Sequence, residues 1–300
     1  MIWTILLILA ALLLIRAYRN TFDVQINTVP LSLNTSDRVN ADGVDPLQIL
    51  HLSDLHMENI SVKPDRIVKE MREKSIDLIA ITGDLLDRAK NIPLAVQYVE
   101  ALQKIKPKLG TYVVFGNHDY LLGANKLALL KSELERIGCH VLCNQALTVE
   151  HHGQKLHIIG IDDYGTRHSD LKKSYRTVTD DGIRLILTHD PNIILTMKNY
   201  DYDYLLCGHF HGGQIHWPKP YHLAKMGKLA RMNIVKGLHY HEGRPFYISE
   251  GLGQTGLNIR LRSRPEITLH TLQPQAEPVN QTAQLQNLMA AEAAPALALD

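Results

Sequence analysis

Five short groups of metal-capable and proton-transferring side chains stand out: Asp54-Leu55-His56, Gly83-Asp84 with Asp87-Arg88 close behind, Gly116-Asn117-His118-Asp119, His189-Asp190 and Gly208-His209-Phe210-His211. Carboxylates and neutral imidazoles together suit Zn, Mn or Fe. An asparagine carbonyl adds a neutral oxygen ligand, and histidine passes a proton near neutral pH. In Asp54-x-His56 and His209-x-His211 the two side chains share one side of an extended segment, because side chains alternate with period two. Each pair can therefore grip one ion. Taken singly, such groups are ordinary turns, since Gly, Asn and Asp favour turns. Five of them, each directly after an apolar run, are poorly explained as five turns.

Those apolar runs are the elements that must position the groups. Runs at 47–53, 77–82 and 111–115 read as strands, separated by amphipathic helices at 64–74 and 93–105, the second opening with Pro in its first turn. This βαβαβ alternation favours an α/β sheet with ligands at the carboxyl ends of its strands. A helix at 125–137 follows, then short runs at 141–142, 146–150, 156–161, 185–188, 204–207, 246–249 and 267–272. Most of these read as strands of a second sheet packed on the first, a two-sheet sandwich flanked by helices. No internal repeat is evident.

In order and spacing the groups D-x-H, GD-x-x-D, GNH-D, a separate His and GH-x-H, spanning residues 54–211, resemble the signature of the calcineurin-like metallophosphoesterase superfamily. His211-Gly212-Gly213-Gln214, Thr188-His189-Asp190-Pro191, and Gly251-Leu252-Gly253 with Arg260 and Pro265-Glu266-Ile267 resemble its membrane-anchored or exported bacterial branch. That branch includes general phosphodiesterases and UDP-2,3-diacylglucosamine diphosphatases. Phe210 stands where many members carry Thr; it is not a ligand position and bears on pocket lining. The twin-arginine signal of many exported members is absent.

The resemblance implies an α/β four-layer αββα sandwich holding two divalent ions, Mn foremost, with Fe or Zn as alternatives. Asp54, His56, Asp84 and His211 would hold the first ion, and Asp84, Asn117, His189 and His209 the second. A carboxylate with two oxygens can bridge ions ~3.5 to 4 Å apart, and a hydroxide between them is placed for in-line attack on phosphorus. His118 would be the general acid, oriented by Asp87. Arg88 would contact the substrate phosphate or stand as a solvated charge. The implied activity is hydrolysis of phosphodiester, pyrophosphate or phosphomonoester bonds, with UDP-2,3-diacylglucosamine as one specific substrate. A catalytically silent metal-binding module is expected to lack a ligand or the acid, and a metal amidohydrolase to begin with His-x-His. Asp119 and Asp190 are expected to support the loops, His51 and His157 to be core histidines, His151-His152 to be surface residues, and Asp162-Asp163 to approach the site.

The flanks carry separate signals. Residues 2–15 are almost wholly apolar and close with Arg16 and Arg19. A bilayer span wants ~20 apolar residues, so Ala17 and Tyr18 must assist. The run also resembles a signal-peptide core, but it has no positive n-region and no small-x-small site. The expectation is an uncleaved single-pass anchor in the cell membrane, residues 1–20, with the domain cytoplasmic by the positive-inside tendency. Residues 21–46 then read as a linker merging into an edge strand, 47–272 as the catalytic domain, and 273–300 as a disordered tail rich in Gln, Ala and Pro. A net charge of +1 excludes a global pull toward nucleic acid. Cys139, Cys143 and Cys207 lack metal-ligand spacing and form no even set, which fits a reducing compartment. Within 217–236, Lys219, Lys225, Lys228, Arg231 and Lys236 alternate with Trp217, Tyr221, Leu223, Met226 and Leu229. Such a segment suits anionic lipid heads or a lipid-linked phosphate, or forms a solvated cap. Oligomeric state stays open.

Overall fold

The computed structural model describes residues 1–35, 38–39, 45–216 and 219–275. Ser36, Asp37, Asp42, Gly43, Trp217 and the tail from 276 onward lie outside the described residues. The strands are β1 Gln25–Asn34, β2 Leu47–Leu52, β3 Leu78–Thr82, β4 Thr111–Val114, β5 Cys139–Val141 and β6 Gln145–His151. There follow β7 Gln154–Gly160, β8 Ile183–Leu187, β9 Tyr204–Cys207, β10 Gly237–His241, β11 Arg244–Ile248 and β12 Glu266–Gln275. They form two sheets of six, ordered β1-β12-β2-β3-β4-β5 and β10-β11-β9-β8-β7-β6. Neighbours from β2 to β5, and β7-β8-β9-β11, are parallel. Parallel neighbours end at the same edge, which gathers their following loops.

The period of the strands builds the layers. In β2, Leu47 and Ile49 face the second sheet, where they meet Ile158, Leu185 and Leu206 in one inter-sheet core. Leu50 and Leu52 face the other way, onto α2 (Pro64–Glu70), α3 (Ile92–Leu102) and α4 (Ala124–Arg136). On the far face of the second sheet, Ile159, Ile186 and Leu205 pack against Ile193, Ile194 and the short helix Lys228–Arg231. The result is the expected four-layer αββα sandwich. Ahead of it, α1 (Ile2–Arg19) stands clear of the domain, with only Ala17 buried. The stretch Ile2–Phe22 is long and apolar enough to cross a membrane.

Three elements go beyond expectation. The edge strand expected within 21–46 is β1, which takes up much of that stretch and pairs in parallel with β12 along its whole length. Val29, Leu31 and Leu33 turn inward, while Pro30 is tolerated because β1 is an edge strand. β12 runs to Gln275, past the expected boundary at 272. β10 pairs back on β11 through Glu242-Gly243, whose φ values of 49 and 78° match the positive φ of a tight hairpin turn.

Candidate metal centre

The five loops converge at one edge of the sandwich and are tied together through their backbones. The Asp54 and His56 amides donate to the carbonyls of Gly83 and Asp84, each at 3.0 Å, and the Gly208 amide donates to the His189 carbonyl at 3.1 Å. The His118 amide donates to Asp84 Oδ1 at 2.8 Å. Asp119, buried below, accepts from Gly116 and Leu85, both at 2.9 Å, and so staples two loops. Its carboxyl is pushed up to about 7, by burial first and by the charge of Asp84 second. Asp54, His56, Asp84, His209 and His211 all have φ between 39 and 76°. Non-glycine residues rarely enter this region, and strain of this kind gathers at functional sites. The glycines of the motifs are there for close approach. A Cβ on Gly116 would lie 2.2 Å from Asp84 Oδ1, and one on Gly208 would lie 2.2 Å from Asp54 Oδ2.

The imidazoles are oriented from behind. His189 Nδ1 lies 2.7 Å from the Thr82 carbonyl, His211 Nδ1 lies 3.2 Å from the Gly253 carbonyl, and His56 Nδ1 lies 2.9 Å from Asp87 Oδ1. A ring that donates through Nδ1–H carries its lone pair on Nε2. Those three Nε2 atoms point at carboxylate oxygens: His189 and His56 at Asp84 Oδ2, at 3.1 and 3.6 Å, and His211 at Asp54 Oδ1, at 3.4 Å. Lone pair facing lone pair in a buried site is repulsive unless a cation lies between. In the protein alone, burial opposes a proton on His189, but Asp84 outweighs it and raises the group well above its usual value. That proton takes the place a cation would fill. Burial and His189 lower His209 to about 4, leaving it a neutral donor set 3.1 Å from His189. His56 Nε2 and Asn117 Oδ1 are buried with no hydrogen-bond partner. Donor groups Asp54/His56/His211, His56/Asp84/His118 and Asp84/His189/His209 each have their ligand atoms within 4.8 Å of one another. Imidazoles with the second nitrogen held by a carbonyl or carboxylate are the usual metal-ligating arrangement, so the residues present fit a divalent metal.

The family model for calcineurin-like phosphoesterases matches residues 47–213, the stretch that carries all five loops. This chain belongs to that family. It is similar to metallophosphoesterase YkoQ of Bacillus subtilis, at 55% identity over 90% of this chain and 100% of the relative. It is also similar to phosphodiesterase YaeI of Escherichia coli, 30% identical over 76% of this chain and 83% of the relative. UDP-2,3-diacylglucosamine pyrophosphatase LpxG of Chlamydia trachomatis is 27% identical over 74% of this chain and 82% of its own length. The chain is accordingly a phosphoester hydrolase of a family that uses divalent metals.

In this metallophosphoesterase, one oxygen serves two histidines. Asp87 Oδ1 lies 2.9 Å from His56 Nδ1 and 3.0 Å from His118 Nδ1. The second contact is close though poorly aligned, and hydrogen bonding and charge both act through it. Burial works against a proton on His118, yet Asp87 and Asp84 outweigh it and push the group up to about 9. Asp87 itself is held low by His118 and His56 in spite of its burial.

Six of the seven residues expected as ligands stand in these donor groups with His118, Asp87 touches His56 and His118, and Asn117 lines the same cavity as His209. Arg88 is exposed and lines neither cavity described below. His51 and His157 are buried core residues, bonded to the hydroxyls of Thr82 and Thr148. His151 is buried rather than superficial, with Nε2 at 3.2 Å from the Asp45 carbonyl; His152, exposed, matches its expectation. Asp190 caps the following turn at Asn192, Asp162 accepts from Tyr120, and Asp163 accepts from Thr166 while its charge reaches His189. Sequence reasoning missed Glu58, whose carboxylate accepts from the amides of Asp87 and Arg88, both at 2.9 Å. For Arg260, singled out only as part of the resemblance, the role stayed hidden: it is fully buried and donates to the carbonyls of Glu250, Gly251, Gly253 and Arg264 and to Ser263 Oγ. Ser263 Oγ in turn donates to the His211 carbonyl at 3.0 Å. A buried arginine in a Gly-rich neighbourhood is a carbonyl clamp, and its spacing from the motifs hides that role.

Two cavities open over the centre. One of about 320 Å³ has Asp84, His118, His209 and His211 at its floor and Phe210, Ile215, Leu223, Met226 and Leu257 along its sides. The other, about 780 Å³, shares His209 and Met226, includes Asn117, and carries Arg167, Lys225 and Lys228.

Proposed function

We propose that this protein hydrolyses phosphoesters with two divalent cations, the first held by Asp54, His56, Asp84 and His211 and the second by Asp84, Asn117, His189 and His209, with Asp84 shared. The supporting observation is the set of imidazole lone pairs converging on Asp84 and Asp54 at 3.1 to 3.6 Å. When bound, such a pair of cations activates water at neutral pH and neutralises charge on the phosphoryl oxygens. The mixed carboxylate, amide and imidazole set suits Mn, Fe or Zn, with Mn favoured.

The chain's own residues do the rest. His118 stands over the floor of the smaller cavity and delivers a proton to the departing oxygen; proton transfer of this kind contributes typically 10² to 10⁴-fold. Asp87 keeps that proton on His118 and fixes His56, and Glu58 holds the Asp87 backbone. Asn117 brings a ligand oxygen without further charge. The bond cleaved is a phosphodiester, pyrophosphate or phosphomonoester P–O bond. α1 serves as an uncleaved single-pass anchor with Arg16 and Arg19 on the cytoplasmic side, and a protease-protection assay reports that orientation. The phosphate contact expected of Arg88 rests on its position next to Asp87, whereas the cations that line a cavity are Arg167, Lys225 and Lys228.

The test is a panel of phosphomonoesters, phosphodiesters and nucleotide pyrophosphates, assayed with added Mn for the full chain and for Asp84→Ala. Turnover that disappears in Asp84→Ala supports the reading. Equal rates in both proteins refute it.

A further inference from the structure

Where α1 meets the domain, two stretches far apart in sequence build one notch of about 270 Å³: Leu13, Arg16 and Asn20 from the helix, and Leu261, Arg262 and Arg264 from the loop between β11 and β12. Three guanidiniums therefore line a single small space. Arg264 is answered by Asp23, whose Oδ2 accepts from its Nε at 3.0 Å. Arg16 pairs with no carboxylate among the described residues. The notch thus gathers more positive charge than Asp23 offsets, and like charges held this close repel unless an anion joins them.

The loop needs no anion to hold its shape. The amide of Arg260 donates to the Ala17 carbonyl at 2.9 Å, and Asn20 Nδ2 donates to the Arg260 carbonyl at 2.8 Å, which fastens the loop to the foot of α1. The Leu261 amide donates to the Gln214 carbonyl at 2.8 Å, and the Leu261 carbonyl accepts from the His216 amide at 2.9 Å. Guanidiniums carried on a backbone already fixed lose less freedom when they meet a ligand. The helix sets the height of the notch. Tyr18, about half exposed and packed edge to face on Phe22, stands near the end of the stretch that is long and apolar enough to cross a membrane. Tyrosine settles at the headgroup level of a bilayer. Arg16 and Asn20 flank Tyr18, which puts the notch at that level too, with Leu13 on the acyl side.

From this placement we propose that the notch binds the phosphate of an anionic phospholipid, held beside α1 as a bound lipid and not as a substrate. The guanidiniums of Arg16, Arg262 and Arg264 meet the phosphate oxygens, whose geometry their planar forks match, and Leu13 and Leu261 lie along the start of an acyl chain. A free phosphate would answer the charge but leave the two leucines without a partner. The proposal rests on the anchor reading above and adds the lipid that the anchor meets. The cavities over the metal centre take no part in it, since none of the six notch residues lines either of them.

The test is native mass spectrometry of the full chain released from detergent micelles that carry phosphatidylglycerol and phosphatidylcholine in equal amounts. A basic side chain at an anionic surface strengthens attachment about fivefold, so the wild type should retain one phosphatidylglycerol at least about fivefold more often than phosphatidylcholine. Arg16→Gln and Arg262→Gln should each lower that preference at least about twofold, and the two together should abolish it. Arg19→Gln removes the same charge at the same end of the helix, but from a residue outside the notch, and should leave the preference in place. Equal retention of the two lipids by the wild type overturns the site. A loss in Arg19→Gln as large as in Arg262→Gln overturns it too, in favour of diffuse surface charge. Glycerol phosphate in large excess tests the source: lipid that stays bound supports the proposal, and lipid that is displaced makes the notch a site for free phosphate. If a carbonate wash strips the full chain from vesicles, the anchor reading itself has failed, a result distinct from the others.

Discussion

Asp87→Asn separates charge from shape at the proton donor. An amide keeps an oxygen to accept from His56 Nδ1, now 2.9 Å away, but it carries no charge to hold the proton on His118, 3.0 Å away. The loss has a hydrogen-bonding part and a Coulombic part, and the Coulombic part sets its lower bound. At 3.0 Å two unit charges attract by about 1.4 kcal/mol at the dielectric of water and about 5.5 kcal/mol at an effective dielectric of ~20. Both side chains are about a quarter exposed, so the effect falls between these limits. With about 1.36 kcal/mol per pH unit, the His118 pKa should drop by at least about one unit. The sign follows: a proton donor is charged below its pKa and lost as pH rises through it, so the alkaline limb of the rate profile moves to lower pH. The assay is kcat against pH on a chromogenic diester, with bound metal counted at each pH. If metal content is intact and the alkaline limb stays put, Asp87 does not hold the proton and the assignment of His118 falls with it.

Asn117→Ala should lower bound metal from about two ions toward one by elemental analysis, whereas His118→Ala should keep both ions and lose about 10² to 10⁴ in kcat. Gly116→Ala should abolish metal binding with circular dichroism unchanged, because the new Cβ would have to displace Asp84 Oδ1, 2.2 Å away. Arg260→Met leaves carbonyls of four residues and Ser263 Oγ without their donor. Breaking a buried charged network of this kind costs about 3 to 5 kcal/mol, to be read as a lowered urea midpoint.

The chemistry was legible because its residues are local. Each ligand pair sits within one loop, each loop follows an apolar run, and the alternation of Leu47, Ile49 and Leu50 declares both faces of β2. What stayed hidden depends on contacts across long sequence separations. β1 reads only as an edge strand at the end of a polar linker, and its full length shows once β12, over 230 residues later, supplies its partner. Glu58 looks like a surface acid, and its role depends on where the loop after β3 returns. Arg260 marks the resemblance in the sequence, but its hold on the carbonyls of Glu250, Gly251, Gly253 and Arg264 shows only in the fold. The positive φ of Asp54, Asp84 and His211 has no signature at all in a string of residue types, since those residues normally avoid it. For Arg88 the sequence left a substrate contact and a solvated charge both open, and its exposed side chain agrees with either.

Only residues 20–24 separate the end of α1 from the start of β1, and Asn20 and Thr21 within them are buried and hydrogen-bonded. There is consequently no slack between helix and sandwich. With α1 in a bilayer, the mouth of the active site would be held at a fixed height and tilt, in the manner of a stylus, so that a domain tethered this way would sample the surface rather than the surrounding volume.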